Sequence, residues 1–244
     1  NGLAAMGVGS GSGVAIVMGN SPEWLAVYFA TQKLGAYAVP VNVALKGEGL
    51  RYVIDHSDSV VVVVDPARAD AVSAVADGTP QVTNVVVDTT EAPEGWAHPE
   101  DWSTLAEVMD APDTEPDATI DPEAISAIMY TSGTTGAPKG VVTRYARTNI
   151  GGIRMLAKLL ADDEVLYTCL PLFHANALLL TSVRGLVAGL PVVLSRRFSA
   201  SGFWDEIRRY GVTIFNGLGA MIPILMKQPE RDDAGEQHEL AGEP

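Results

Sequence analysis

The 244-residue chain is 47% hydrophobic and only 19% charged, enough apolar material for one large core or two small ones. Its 30 Asp and Glu against 16 Lys and Arg leave a net charge of −14, which argues against nucleic acid or an anionic membrane surface as a partner. The single cysteine, Cys169, excludes an internal disulfide and sits in an apolar context that suits a buried filler better than a nucleophile.

No secretory leader opens the chain and no apolar run reaches the length of a transmembrane segment, so a cytoplasmic location is expected. The chain starts at Asn1 inside what already reads as a domain, and a fragment of a longer protein is expected. The opening Gly7-Val8-Gly9-Ser10-Gly11-Ser12-Gly13 invites a dinucleotide reading, but that fingerprint must follow a strand and open a helix. Here the glycines precede a strand over 14–18, so a flexible connector is expected.

A helix start follows, with Ser21 at the N-cap, Pro22 at the first helical position and Glu23 in the first turn. Leu25, Tyr28, Phe29 and Leu34 keep helical spacing until Gly35 closes the helix. A strand over 37–41, a helix over 47–56, a five-valine strand over 60–64, a helix over 67–76 and a strand over 82–87 come next. The valine run suits a strand buried on both faces, and the alternation implies a parallel sheet flanked by helices. Residues 88–123, rich in Asp, Glu and Pro, read as a surface connector between two sheets with one short helix over 102–109.

A strand over 125–130 then feeds Thr131-Ser132-Gly133-Thr134-Thr135-Gly136, which ends at Ala137-Pro138-Lys139-Gly140. Gly133 and Gly136 can take backbone angles closed to other residues, so successive N–H groups can converge on an anion. The hydroxyls add donors without bulk, Lys139 adds a point charge on a long stem, and Pro138 stiffens the approach. Gly140 lets the chain turn into a strand holding Val141 and Val142. The spacing is not that of a Walker A loop, since Lys139 lies three residues after Gly136 and precedes Gly140. A phosphate cradle and a plain Gly/Thr-rich turn between strands are the two readings the residues allow.

Residues 128–142, IMYTSGTTGAPKGVV, resemble the signature of the AMP-forming acyl-CoA synthetase superfamily. These adenylate-forming enzymes include fatty-acid and aryl-CoA ligases, luciferases and peptide-synthetase adenylation domains. Every position from Ile128 to Lys139 fits, and NSPEWLAVYFATQKLGAYAVPVN resembles the family's first subdomain. The resemblance implies that Thr131, Ser132, Gly133, Thr134, Thr135, Gly136 and Lys139 bind the phosphates of ATP. Where Arg144 stands the family usually has a His, so no role is assigned there.

No Lys or Arg lies between Arg68 and Lys139, whereas Lys139, Arg144, Arg147, Arg154 and Lys158 all precede the next acid, Asp162. Positive charge beside the loop would draw a polyphosphate, although 147, 154 and 158 also fit one solvated helix face that Gly151 and Gly152 would weaken. A strand over 165–170 then ends in Pro171-Leu172-Phe173-His174 before an Ala- and Leu-rich helix. Loops at the carboxyl ends of parallel strands are where α/β sheets bind ligands, which puts His174 at a site rim.

The segment YTCLPLFHANALLL resembles the family's second core motif, which implies that His174 faces the acyl carboxylate with Asn176 assisting. Asn176 could equally cap the following helix. Amino-acid-activating relatives carry Asp at the position of His174, so an acid without an α-amino group is expected. A strand over 191–194, a helix over 201–210, a strand over 212–215 and a helix from 216 toward 227 complete the alternation. TIFNGLGAMIPILMKQP resembles ligases of the carnitine and crotonobetaine kind.

The expected fold is α/β, stacked mostly parallel sheets flanked by helices, as in an incomplete N-terminal domain of an adenylate-forming enzyme. Residues 1–120 form a first subdomain with its acidic connector, 121–228 a second with the phosphate loop and the acyl-site motif, and 229–244 an acidic flexible tail. The implied activity uses ATP, Mg2+ and coenzyme A to convert a small-molecule carboxylic acid to its acyl-CoA. The resemblance implies that the motifs holding adenine, ribose and Mg2+, and a C-terminal domain with a catalytic lysine, lie beyond Pro244, so turnover by these residues alone is not expected. The alternatives are a truncated homologue that binds nucleotide without catalysis, or an aryl-CoA ligase or luciferase-like adenylate-former.

Overall fold

The structure, a computed structural model, describes residues 1–131, 137–146 and 152–229. The expected phosphate-loop residues Ser132, Gly133, Thr134, Thr135 and Gly136, together with Arg147 and the tail from residue 230, lie outside the described residues.

The first half alternates α1 (Gly2–Ala5), β1 (Gly13–Val17), α2 (Pro22–Lys33), β2 (Tyr37–Pro40), α3 (Gly47–His56), β3 (Ser59–Val64), α4 (Pro66–Ser73) and β4 (Asn84–Val87). The connector supplies β5 (Ser103–Thr104) and α5 (Leu105–Met109), followed by β6 (Ile125–Thr131) and β7 (Lys139–Arg144). Among the described residues these strands form a seven-stranded sheet in the order β5-β4-β3-β1-β2-β6-β7, parallel except where β7 runs antiparallel to β6. The remainder gives α6 (Ile153–Ala157), β8 (Leu166–Thr168), a π-helix (Asn176–Val183), α7 (Arg184–Ala188), β9 (Val192–Leu194), α8 (Phe203–Arg209), β10 (Ile214–Phe215) and α9 (Met221–Leu225). Here β10-β8-β9 form a second, parallel sheet.

Strand periodicity divides the first core. Val14, Ile16, Val61 and Val63 point to one side, where Trp24, Val27 and Tyr28 of α2 cover them. Ala15, Val17, Val62 and Val64 point to the other and meet Leu50, Val53 and Ile54 of α3 and Val72 of α4. The expected burial of the valine run on both faces is met except at Val60, which is half-buried. The α2 layer also reaches the second sheet, because Tyr167, Cys169, Leu170, Leu172 and Leu178 belong to the same buried cluster as Trp24. The start of α2 follows the sequence: the Ser21 side chain accepts a hydrogen bond from the Trp24 N–H at 3.0 Å, with Pro22 at the first helical position.

Three expectations change. The glycine-rich opening is a pair of packed turns and not a flexible connector: Ser12 N–H donates to the Gly9 carbonyl at 3.0 Å, Gly11 N–H to the Gly35 carbonyl at 3.3 Å, and Val8 is buried. Gly7 and Gly11 take φ of 83° and 80°, which side-chain-bearing residues rarely adopt. The short helix expected over 102–109 begins only at Leu105, because Thr104 caps it through Glu107 in a reciprocal capping box while Ser103 and Thr104 pair with β4. Strands β6 and β7, grouped by the sequence with the second unit from residue 121, hydrogen-bond into the first sheet.

Trp24 is fully buried in the layer that both sheets share. Trp24→Ala is expected to cost about 3–5 kcal/mol in urea unfolding, and a loss below about 1 kcal/mol would contradict its place in the core.

Candidate functional site

The expected phosphate loop is a hairpin loop closed at its base. Thr131 and Lys139 face each other in the β6–β7 register, and the Thr131 hydroxyl donates to the Lys139 carbonyl at 3.5 Å. Thr131 ends β6 and Lys139 begins β7, where its side chain stands exposed. Gly140 has a different task from the turn expected of it: it lies within β7, and a Cβ there would come within 2.8 Å of Ile128 Cγ2. Its missing side chain lets the two strands approach. Thr143 extends the clasp, its hydroxyl donating to the Ala127 carbonyl at 3.1 Å.

Strand β6 is tied from both faces. Buried Gln32, in the last turn of α2, donates from Nε2 to the Ser126 carbonyl at 2.9 Å. The Tyr145 hydroxyl is placed against the Gln32 carbonyl at 3.1 Å and the Ala36 carbonyl at 2.6 Å. Across the sheet, Tyr130 meets His56 of α3 with 2.8 Å between its hydroxyl and Nδ1, and Tyr52 stacks on His56 at 4.9 Å. Burial, with smaller contributions from the neighbouring Tyr52 and Tyr37, pushes the Tyr130 phenol up to about 12.

His174 follows β8 at the carboxyl end of the second sheet. Its N–H donates to the Pro171 carbonyl at 3.0 Å, and its own carbonyl accepts from Leu178 N–H at 3.0 Å, so it closes one turn and opens the next helix. The imidazole keeps contact with solvent beside the Phe173 ring, 4.4 Å between centroids. Enough protein surrounds it for desolvation to hold its pKa below the ordinary histidine value.

The helix that follows is wound as a π-helix. The hydroxyls of Thr181 and Ser182 reach carbonyls five residues back, those of Asn176 at 3.2 Å and Ala177 at 2.8 Å. Asn216 Nδ2 holds the Thr181 hydroxyl at 2.9 Å. Asn176 is not the cap of this helix, because Ala175 occupies that position without a side-chain bond. Asn176 Oδ1 is instead buried with no hydrogen-bond partner among the described residues.

Cys169 is buried and its thiol is pushed up by desolvation, so it fits the filler role. The basic residues near the loop spread apart: Lys139 stays at its base, Arg144 donates to the Glu123 carbonyl, and Arg154 and Lys158 lie exposed on and just after α6 beside Asp162.

Among the described residues no side-chain hydrogen bond joins Thr131 or Lys139 to His174 or Asn176. Asn20, which the sequence offered only as part of a helix start, makes the link to the first sheet. Its Nδ2 donates to the carbonyls of Leu170 at 2.9 Å and Ser195 at 3.0 Å, and its Oδ1 accepts the Leu172 N–H at 2.9 Å. Local spacing contains no signal for this, since the partners lie 150 or more positions away. Beside Asn20 a cavity of about 670 Å3 opens at the carboxyl ends of β1, β3 and β4, lined by Ser21, Asp65, Arg68, Asp88 and Arg196 among others.

This arrangement is that of an adenylate-forming enzyme's N-terminal domain. The family model for AMP-binding enzymes matches residues 1–242, and the chain belongs to that family. A sulfoacetate–CoA ligase of Cupriavidus necator is 33% identical over 93% of this chain and 43% of its own length. A crotonobetaine/carnitine–CoA ligase of Salmonella choleraesuis is 28% identical over 96% of the chain and 45% of its own. The chain thus spans less than half the length of these curated relatives. The inhibitor-bound N-terminal domain of FACL13 from Mycobacterium tuberculosis superposes with a TM-score of 0.79 at 29% identity, over 93% of this chain and 55% of that one. No described helix is long and apolar enough to cross a membrane.

Gly140→Ala is expected to force β7 off Ile128 and cost about 1–3 kcal/mol in urea unfolding; a neutral effect would refute the close approach. For His174, a pKa below the ordinary value means that the unfolded chain binds the proton more tightly, so the native state loses stability as pH falls through about 6.5. His174→Gln should flatten that part of the stability–pH curve, and an unchanged slope would show that the ring is not desolvated.

Proposed function

We propose that this chain is the N-terminal part of an AMP-forming acyl-CoA ligase of the cytoplasm, which activates a carboxylic acid as its acyl-adenylate and passes the acyl group to coenzyme A. The observation that carries this reading is the hairpin base, a hydroxyl- and glycine-rich loop closed by Thr131 and Lys139 at the carboxyl end of β6, in an AMP-binding family chain whose relatives are CoA ligases.

In the first step a carboxylate oxygen of the acid attacks the α-phosphorus of ATP. One O–P bond forms as another breaks, and pyrophosphate leaves. In the second step the thiol of coenzyme A gives up its proton and its sulfur attacks the acyl carbon, releasing AMP. Little covalent work falls to the protein, and positioning with charge neutralisation supplies most of the rate.

Thr131, Ser132, Gly133, Thr134, Thr135, Gly136 and Lys139 take the β- and γ-phosphates, with the exposed Lys139 ammonium at the loop base neutralising their charge. Mg2+, when bound with ATP, would supply neutralisation of the phosphate charge. Among the described residues no group of three His, Cys, Asp or Glu could hold it, so its ligands are assigned to the rest of the protein. His174, its pKa lowered, stays neutral near pH 7 and donates a hydrogen bond to the acyl carboxylate. Asn176 lies next to it with unspent hydrogen-bonding capacity.

The two relatives act on different acids by name, sulfoacetate and crotonobetaine or carnitine, and the acid taken here is one without an α-amino group. The test uses the full-length polypeptide with ATP, Mg2+, coenzyme A and a panel of aliphatic, aryl and α-amino acids, following AMP and thioester. Acyl-CoA formation from a non-amino acid is expected, with adenylate formation reduced about 100-fold in Lys139→Ala while the fold is retained. Unchanged turnover in that variant removes Lys139 from the site, and nucleotide binding without turnover on any acid would make the protein a non-catalytic homologue.

A further inference from the structure

Among the described residues, the side-chain amide of Asn20 fastens the turn before His174 to the first sheet. Its three bonds fall at the ends of two strands of the second sheet: Leu170 and Leu172 follow β8, and Ser195 follows β9. Leu170 and Leu172 flank Pro171, whose carbonyl accepts the His174 N–H. The clamp therefore acts one turn away from the imidazole without touching it.

Asn20 is itself held on both sides. Gly19 N–H donates to Asp65 Oδ2 at 2.8 Å, an oxygen that Arg68 also engages at 2.7 Å, and Ser21 caps α2. The cap fixes the amide at the mouth of a helix whose far end, through Gln32, holds β6 below the hairpin loop.

The chemistry of the three contacts is specific to a carboxamide. Two carbonyls need donors and one N–H needs an acceptor, which Asn meets with one planar group. Flipping the amide would set oxygen against two carbonyls and N–H against N–H. An aspartate would keep only the bond from Leu172 and bring a negative oxygen against the other two partners. Leu172 is 1% exposed and Leu170 5%, while Asn20 itself is half-buried at the edge of the cavity.

We propose that Asn20 is a positioning residue for the acid subsite: it sets the place and orientation of the His174 turn relative to the phosphate loop. The proposal rests on the acyl-CoA ligase reading. It assigns Asn20 no contact with substrate, and its effect reaches the carboxylate through the Pro171–His174 turn.

The experiment compares Asn20→Ala and Asn20→Asp with Tyr37→Phe in the full-length protein. Tyr37→Phe deletes a buried bond to the Ser57 carbonyl on the far face of the first sheet and serves as the control for destabilisation alone. Two readouts are taken below the melting range of all variants: amide hydrogen exchange by mass spectrometry, and KM for the acid and for ATP.

Asn20→Ala should lose exchange protection in the segment holding Leu172, whereas Asn20→Asp, which keeps the bond from the Leu172 N–H, should retain more of it than Ala does; both variants should be impaired in turnover. Their KM for the acid should rise about tenfold or more while KM for ATP stays within about twofold, and Tyr37→Phe should do neither. Asp, nearly identical in shape, should be as impaired in KM as Ala.

Unchanged protection at Leu172 in Asn20→Ala overturns the clamp. An equal rise in both KM values, or the same pattern in Tyr37→Phe, overturns the positioning role in favour of general destabilisation. An Asp variant indistinguishable from the parent shows that shape and not bond polarity is at work, and overturns the carboxamide argument. If the parent makes no acyl-CoA from any acid, the ligase reading fails and the subsite role with it, whereas the exchange result still decides the clamp.

Discussion

Helix α2 is the element on which the relation between the two sheets depends. Its buried residues Trp24, Val27 and Tyr28 cover one face of the first sheet and share a core with the start of the second. A 12-residue helix spans about 18 Å. Because Asn20 anchors one end to the His174 turn and Gln32 anchors the other to β6, that length becomes a ruler between the expected acyl site and the expected phosphate loop. Apolar burial alone is non-directional and would tolerate sliding. The amide bonds at the two ends remove that freedom, since each lost register would leave buried backbone groups without partners.

The hairpin β6–β7 solves a second problem at the same edge. The glycine- and hydroxyl-rich segment follows β6 in the sequence, and the described residues on either side of it form one strand pair. The Thr131–Lys139 pair, the close approach at Gly140 and the Thr143 hydroxyl on the Ala127 carbonyl give the base a rigid frame. Gln32, Tyr145 and the Tyr130–His56 contact brace that frame from both faces. Lys139 emerges from it as an exposed cation in a chain of net charge −14.

On the second sheet, backbone strain and polarity are arranged differently. Thr181 and Ser182 spend their hydroxyls on carbonyls five residues back, and the helix after His174 widens into a π-helix. Such widening is frequent at functional sites because it redirects side chains at the helix mouth. Here it begins at Asn176, whose Oδ1 is buried with no bond among the described residues, and it lies against the turn that lowers the pKa of His174.

The sequence by itself determined the α/β alternation, the strands buried on both faces, the cap of α2 and the family, because each is written in neighbouring residues: a run of valines, a Ser-Pro-Glu start, a loop of fixed composition. Where the expectations changed, the cause was non-local. The opening glycines became packed turns because Gly35 and Tyr37 supply partners for Gly11 and Ser12, and the acidic connector gained β5 because β4 offered it an open edge. Gly140 turned from a bend into a strand residue because it pairs with Tyr130 across the hairpin, with Ile128 packed against it. Strands β6 and β7 crossed the expected boundary at residue 121 because β2 presented the free side of a parallel sheet. The clamp at Asn20 lay beyond sequence reasoning altogether. An asparagine before a helix cap reads as turn chemistry, and only folding brings three backbone groups from 150 or more residues away within hydrogen-bond distance of one amide.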